Sequence, residues 1–124
     1  MAATRIFRQI EVLGQKAGHF AVSAIEYRIV GRVLTVEDLW TTNDYRRQGL
    51  ASQLVDEAEK EGRASGCRRV EVAIPGTPGS ARAPTIDSFF RSRGYKLDSA
   101  DIQHAFHLRE GHHKYKLKLD LSEQ

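Results

Sequence analysis

From Thr41 to Leu54 the chain reads T-T-N-D-Y-R-R-Q-G-L-A-S-Q-L, and the residue types and spacing there suit the binding of an anion. A strand enters this stretch and an amphipathic helix leaves it. A turn of that kind leaves several backbone N–H groups without partners and aims the positive end of the helix at them. Gly49 lets the backbone approach an anion closely, Ala51 keeps the first helical turn free of bulk, and Arg46 and Arg47 supply charge that pairs with phosphate. The other glycine-rich phosphate motifs, G-x-G-x-x-G and G-x-x-x-x-G-K-[ST], are absent from the sequence. His104, His107, His112 and His113 cluster in sequence without H-E-x-x-H or a Cys/His framework, so no metal site is expected. Cys67, which precedes a strand, is expected to pack rather than to act as a nucleophile.

The elements that position this turn follow from hydrophobic period. Residues 4–13, 19–30 and 33–41 read as strands, with Gly31-Arg32 as a tight turn that makes the second and third antiparallel. Asn43 or Asp44 is expected to cap the next helix. From Gly49 to about Ala64, Leu50, Leu54, Val55 and Ala58 recur at helical spacing. A fourth strand covers 68–74, and the glycine- and proline-rich residues 75–82 read as a loop. Ile86, Phe89 and Phe90 mark a second helix with Pro84 in its first turn and Gly94 at its end. Tyr95-Lys96-Leu97 starts a short strand, 98–112 is ambiguous and partly helical, and 113–121 alternates as a final strand. The fold class expected is α/β, a mixed sheet of antiparallel strands followed by a parallel β-α-β crossover. On strict alternation, Glu37 and Asp38 face opposite sides of their strand.

Composition sets the outer bounds. The chain has 124 residues, enough for one domain over 1–124. Its net charge of +3 is spread over interspersed acids and scattered arginine pairs, which argues against a nucleic-acid stripe. No apolar run approaches the ~18 residues of a membrane span. The N-terminus lacks the pattern of a secretory signal, and one cysteine offers no internal disulfide, so a cytoplasmic location is expected.

The pattern R-x-x-G-x-A at Arg46, Gly49 and Ala51 resembles the Q/R-x-x-G-x-G/A pyrophosphate loop with which GNAT-superfamily N-acetyltransferases hold coenzyme A. Some forty positions later, F-F-R-S-R-G-Y at 89–95 resembles the F-Y-x-x-x-G-F segment of the same family, and the resemblance spans roughly 19–121. The run E-D-L-W-x-x-x-D-Y-R is similar to that of polyamine and thialysine acetyltransferases. The resemblance implies an acetyl-CoA-dependent enzyme that acetylates a primary amine, either a small molecule or a protein lysine or N-terminus. By the same resemblance the backbone amides of Arg47, Gln48, Gly49, Leu50, Ala51 and Ser52 bind the pyrophosphate, beside Arg46. Leu39, Trp40 and Thr41 hold the pantetheine arm and the acetyl carbonyl. Glu37 stands near the acceptor as general base or water-positioning group, because an alkylammonium must lose a proton before it attacks a thioester.

The sequence departs from the family in three places. Ala83 and Ile86 replace an asparagine and an alanine of the second helix. Phe90 replaces the tyrosine that often protonates the departing thiolate. The fold is expected to be truncated on its N-terminal side, since the 45 residues before Arg46 leave no room for the strand and two helices that roof the acceptor in the family. These departures keep two alternatives in view, a non-catalytic coenzyme A-binding module and a protein-interaction module. An open site favours a macromolecular acceptor, and the rival is a homodimer whose second subunit supplies the missing wall.

Overall fold

The computed structural model describes residues 4–14, 18–77, 80–81, 83–97 and 114–121. Its elements are β1 (Thr4–Gly14), β2 (Gly18–Val30), β3 (Val33–Thr41), a 3-10 turn (Asn43–Tyr45), α1 (Leu50–Ala64), β4 (Arg69–Thr77), β5 (Ser80–Ala81), α2 (Pro84–Ser92), β6 (Lys96–Leu97) and β7 (Lys114–Asp120). The sheet runs β1-β2-β3-β4-β7-β6, with β5 hairpinned onto β4. β1, β2 and β3 are antiparallel neighbours, and β3 and β4 are parallel through α1. The mixed sheet and its crossover are therefore as the hydrophobic pattern predicts.

Gly31 turns β2 into β3 at φ +60, a conformation available to glycine without steric cost. One expectation fails nearby. Residues 75–77 continue β4 rather than joining a loop, and Pro75 stands opposite Lys114 of β7. A proline is tolerated in a strand where one edge lacks a ladder, and β4 has such an edge there because its pairing with β3 ends at Val72.

Both helices lie on one face of the sheet. Leu54, Val55, Ala58 and Gly62 of α1 form one stripe, and Leu34, Val36, Val70, Val72, Leu117 and Leu119 rise from the strands to meet it. A Cβ at Gly62 would stand 3.3 Å from Leu34 Cδ1, so the small residue sets how closely α1 approaches β3. Each large side chain buried this way contributes about 1.5–3 kcal/mol. A polar seam joins α1 to the end of α2. The buried Glu59 carboxylate accepts from the Tyr95 hydroxyl at 2.8 Å and from Arg93 at 3.2 Å, and Arg93 also pairs with Asp56. Burial, and then the Glu59 charge, push the Tyr95 hydroxyl well above the usual phenol range.

The opposite face is polar. Arg5 pairs with Glu26, Arg28 with Glu37, and Arg69 and Lys116 with Glu71. Among the described residues no helix covers this face.

Candidate active site

β3 and β4 share a ladder only where Val33 to Val36 pair with Arg69 to Val72. Beyond it, 37–41 of β3 and 73–77 of β4 are not paired with each other, and the two parallel strands enclose a slot. The slot opens at a β-bulge. Glu26 stands opposite Asp38 and Tyr27 opposite Val36, so Glu37 is the extra residue on β3. The bulge corrects the expectation that Glu37 and Asp38 face opposite sides. Glu37 bonds Arg28 at 2.9 Å, Asp38 opposes Glu26, and both acids lie on the polar face that carries Arg28 and Glu26. Glu37 is held in an ion pair, whereas Asp38 has none among the described residues.

The ladder alternation also sorts the three residues that follow. The Thr42 N–H donates to the Val22 carbonyl at 2.8 Å, so the backbone groups of Trp40 and Asp38 point at β2. Those of Leu39 and Thr41 point the other way, into the slot. The Trp40 backbone is thus turned from the slot, and its carbonyl accepts from the buried Ser23 hydroxyl at 3.0 Å. Its indole stands 39% exposed on the polar face, opposite Ala24.

At the mouth of the slot the chain turns into α1. Asn43 and Asp44 form the 3-10 turn and cap nothing in α1, contrary to the sequence expectation. The N-cap of α1 is Gly49, in the left-handed conformation at φ +77, with no side-chain cap. Among the described residues the N–H groups of 47–52 have no backbone acceptor, and the first α1 bond is Gln53 N–H to the Gly49 carbonyl at 3.0 Å. A side chain at Asn43 or Asp44 would have filled those positions, so the uncapped start leaves a row of donors open to an anion. A Cβ at Gly49 would meet nothing within 4 Å, so the glycine faces open space.

Arg46 and Arg47 are exposed at this turn. Arg46 Nε donates to the Thr41 carbonyl at 3.2 Å, which pins the guanidinium beside the end of β3. Arg47 is the one non-glycine residue at positive φ (66) among those described, a strained conformation that costs about 1–2 kcal/mol. Gln48 is exposed, and Leu50, Ala51 and Ser52 are half-buried.

Phe90 is fully buried, edge-on to Phe89 and to Tyr95 with ring centroids 5.1 and 4.9 Å away. It offers no proton to the slot. Ala83 caps the start of α2 without a side-chain bond, and Ile86 packs half-buried against the core. Sequence reasoning passed over Tyr115, whose buried hydroxyl donates to Asp87 of α2, which Arg91 also holds at 2.8 Å. Cys67 is buried, and desolvation raises its thiol. No group of three or more potential metal ligands gathers among the described residues, and His104, His107, His112 and His113 lie outside them. Among the described residues no helix is long and apolar enough to cross a membrane.

The sequence profile of the Acetyltransferase (GNAT) family matches residues 4–95. The chain belongs to that family. Solved structures share the fold. An acetyltransferase from Bacillus cereus ATCC 14579 superposes with a TM-score of 0.64 at 16% identity, over 95% of this chain and 74% of its own. The PaiA N-acetyltransferase from Thermoplasma acidophilum, solved with coenzyme A, gives 0.66 at 15% identity, over 94% of this chain and 60% of its own. Ard1 from Thermoplasma volcanium gives 0.64 at 14%, over 81% and 63%. This chain thus spans less than two thirds of the latter two. No curated protein matches it by sequence. Within this GNAT acetyltransferase, β1 ends at Gly14 and β2 begins at Gly18.

Proposed function

We propose that this GNAT acetyltransferase transfers the acetyl group of acetyl-CoA to a primary amine in a ternary complex. The observation that carries the reading is the slot between β3 and β4 opening beside a helix start whose amides lack partners. The residues suit the co-substrate. The amides of 47–52, with the Arg46 guanidinium, suit its pyrophosphate, and the backbone groups of Leu39 and Thr41 suit its amide-bearing arm. The PaiA relative, solved with coenzyme A, supports the same assignment.

In the transfer the amine nitrogen attacks the acetyl carbonyl, the carbon–sulfur bond breaks, and coenzyme A leaves as thiolate. Glu37, at the bulge, takes the amine proton directly or through one water. Asp38 on the same face is the second acid within reach of that role, because no ion pair holds it among the described residues. A thiol of this kind has a pKa near ~8.5, so water can return the proton to the thiolate without help from Phe90. A second reading, a coenzyme A-binding module without turnover, is favoured by Phe90 alone.

The acceptor side is the polar sheet face. Glu37, Asp38 and Trp40 stand on it with no described helix above them, so the acceptor is a protein lysine, a protein N-terminus or another bulky amine. A small ligand needs a concave site, whereas a macromolecule docks over an open one. Calorimetry with acetyl-CoA tests the binding, and release of coenzyme A over a panel of peptides, proteins, polyamines and amino acids tests the transfer. Acetylation of polyamines or amino acids with sub-millimolar KM, without that of peptides, would refute the macromolecular acceptor. Binding without turnover on any amine would leave the module reading standing.

A further inference from the structure

We propose that the outer edge of β1 is a self-association surface, at which two copies of this chain pair antiparallel about a two-fold axis through Ile10. β1 is the first strand of the sheet, and among the described residues its outer edge has no partner. It is 11 residues long, contains no proline and is itself regular, because the bulge in its pairing with β2 puts the extra residue, Val22, on β2. A long edge without proline or bulge presents a row of free N–H and C=O groups that another strand can complete.

The side chains select the partner and the register. Ile6, Arg8 and Ile10 face the helices: Ile6 and Ile10 pack on the core, and Arg8 reaches Glu61 of α1 at 3.9 Å. The odd positions therefore stand on the polar face, and there Phe7 is 55% and Leu13 75% exposed. Opposed residues of an antiparallel pair share a face, so the two-fold axis must pass through a residue. An axis at Arg8 sets two Arg8 side chains directly opposite each other, a like-charge pair. An axis at Gln9 sets Phe7 against Glu11 and Leu13 against Arg5. An axis at Ile10 sets Phe7 against Leu13 twice, Gln9 against Glu11 twice, and Ile10 against itself on the helix side. Only this register covers both exposed apolar side chains with apolar partners.

Pairing through β1 would continue the sheet across two subunits. β3 lies two strands in from the axis, so the second copy does not reach the slot and supplies no wall for it. The inference is independent of the acetyl-transfer reading, and its test reads assembly alone.

The test combines mass in solution by light scattering with disulfide capture. Opposed Cα atoms lie about 4.5–5.5 Å apart across such a pair, within the span of a disulfide. Ile10→Cys should therefore lock into a covalent dimer on mild oxidation, and Arg8→Cys should not. The buried Cys67 sits off this edge. Leu13→Lys removes nothing the single chain packs against, so it should leave the melting temperature of the monomer unchanged. It should raise the dimer dissociation constant at least about tenfold by placing a charge against Phe7 twice. A monomeric mass for the unaltered chain overturns the proposal. So does a dimer that Leu13→Lys leaves intact, or one that Arg8→Cys captures and Ile10→Cys does not.

Discussion

Over its first four residues β3 is laddered on both sides, to β2 and to β4, and Leu34 and Val36 are buried under α1. Over its last five it is paired to β2 alone, and Glu37, Asp38 and Trp40 are exposed. The sequence changes little in character between the halves, and one inserted residue separates them. The parallel ladder ends where the bulge at Glu37 begins; the bulge shifts the face of every residue after it, and the backbone of Leu39 and Thr41 is left without a ladder to β4. Half of a central strand is thus left without one of its two ladders.

Four measurements can break or sharpen that contrast. The largest effect belongs to the laddered half. Leu34→Ala should cost about 2–5 kcal/mol of stability in a urea titration, because Leu34 is fully buried against α1. Acetyl-CoA affinity, measured where the variant is still folded, should stay as it was. A matching loss of affinity would mean that the two halves are not separable.

In the released half, Glu37→Gln should lower kcat by roughly 10²-fold, about 2.7 kcal/mol, with acetyl-CoA binding intact. Asp38→Asn is the comparator on the same face and should lower kcat by no more than about threefold. If the two variants exchange effects, the acid freed of ion pairs is the base.

Arg46→Glu should weaken acetyl-CoA by about 10- to 30-fold in calorimetry, the size of a lost charge-assisted contact. The apo melting temperature should hold, because Arg46 is exposed and makes a single bond to the Thr41 carbonyl. Unchanged affinity would remove the loop from the site.

The smallest effect lies in the helix seam. Tyr95→Phe should cost about 1 kcal/mol near neutral pH through the lost bond to Glu59. Its pH signature is sharper. The folded state holds the Tyr95 proton more tightly than the unfolded state, in which a phenol titrates near pH ~10. Stability from this group is complete below that pH and is lost as pH rises above it. Tyr27 and Tyr115, also raised by burial and by carboxylate neighbours, act in the same direction. Alkaline denaturation should therefore be shallower in Tyr95→Phe than in the unaltered chain, and equal slopes would count against the buried phenol.

Much of this architecture was legible from residues alone. Gly31, Gly49, Gly66 and Gly94 punctuate the chain where elements end, and Val70, Val72 and Ile74 announce a core strand. The turn from β3 into α1 was legible because Gly49 and the helical spacing of Leu50, Leu54 and Val55 mark where the helix begins. The bulge was missed, although it left a trace. The core-facing residues of β3 are Leu34, Val36, Leu39 and Thr41, and their spacing breaks from two to three at Glu37. Strict alternation read through that break and put Glu37 and Asp38 on opposite faces. The extension of β4 through Pro75 was illegible for another reason. Glycine and proline signal a turn in most settings, and only the missing ladder on the β3 side makes this segment acceptable as a strand. The cap was misjudged in the same spirit, since Asn43 and Asp44 have the chemistry to close α1 and sit six and five residues before the Gly49 N-cap position, too early to do it.

The uncapped start of α1 has a kinetic consequence. Among the described residues, amides at 50–52 have no backbone acceptor, so solvent deuterium should replace their hydrogens quickly in the free protein. The amides of the next turns, bonded within α1 and lying over buried Leu54 and Val55, should exchange slowly. A phosphate seated on the helix start would accept from the fast group and slow it toward the pace of its neighbours. Exchange at the first turn of α1, with and without acetyl-CoA, therefore tests occupancy of this site without any turnover of substrate.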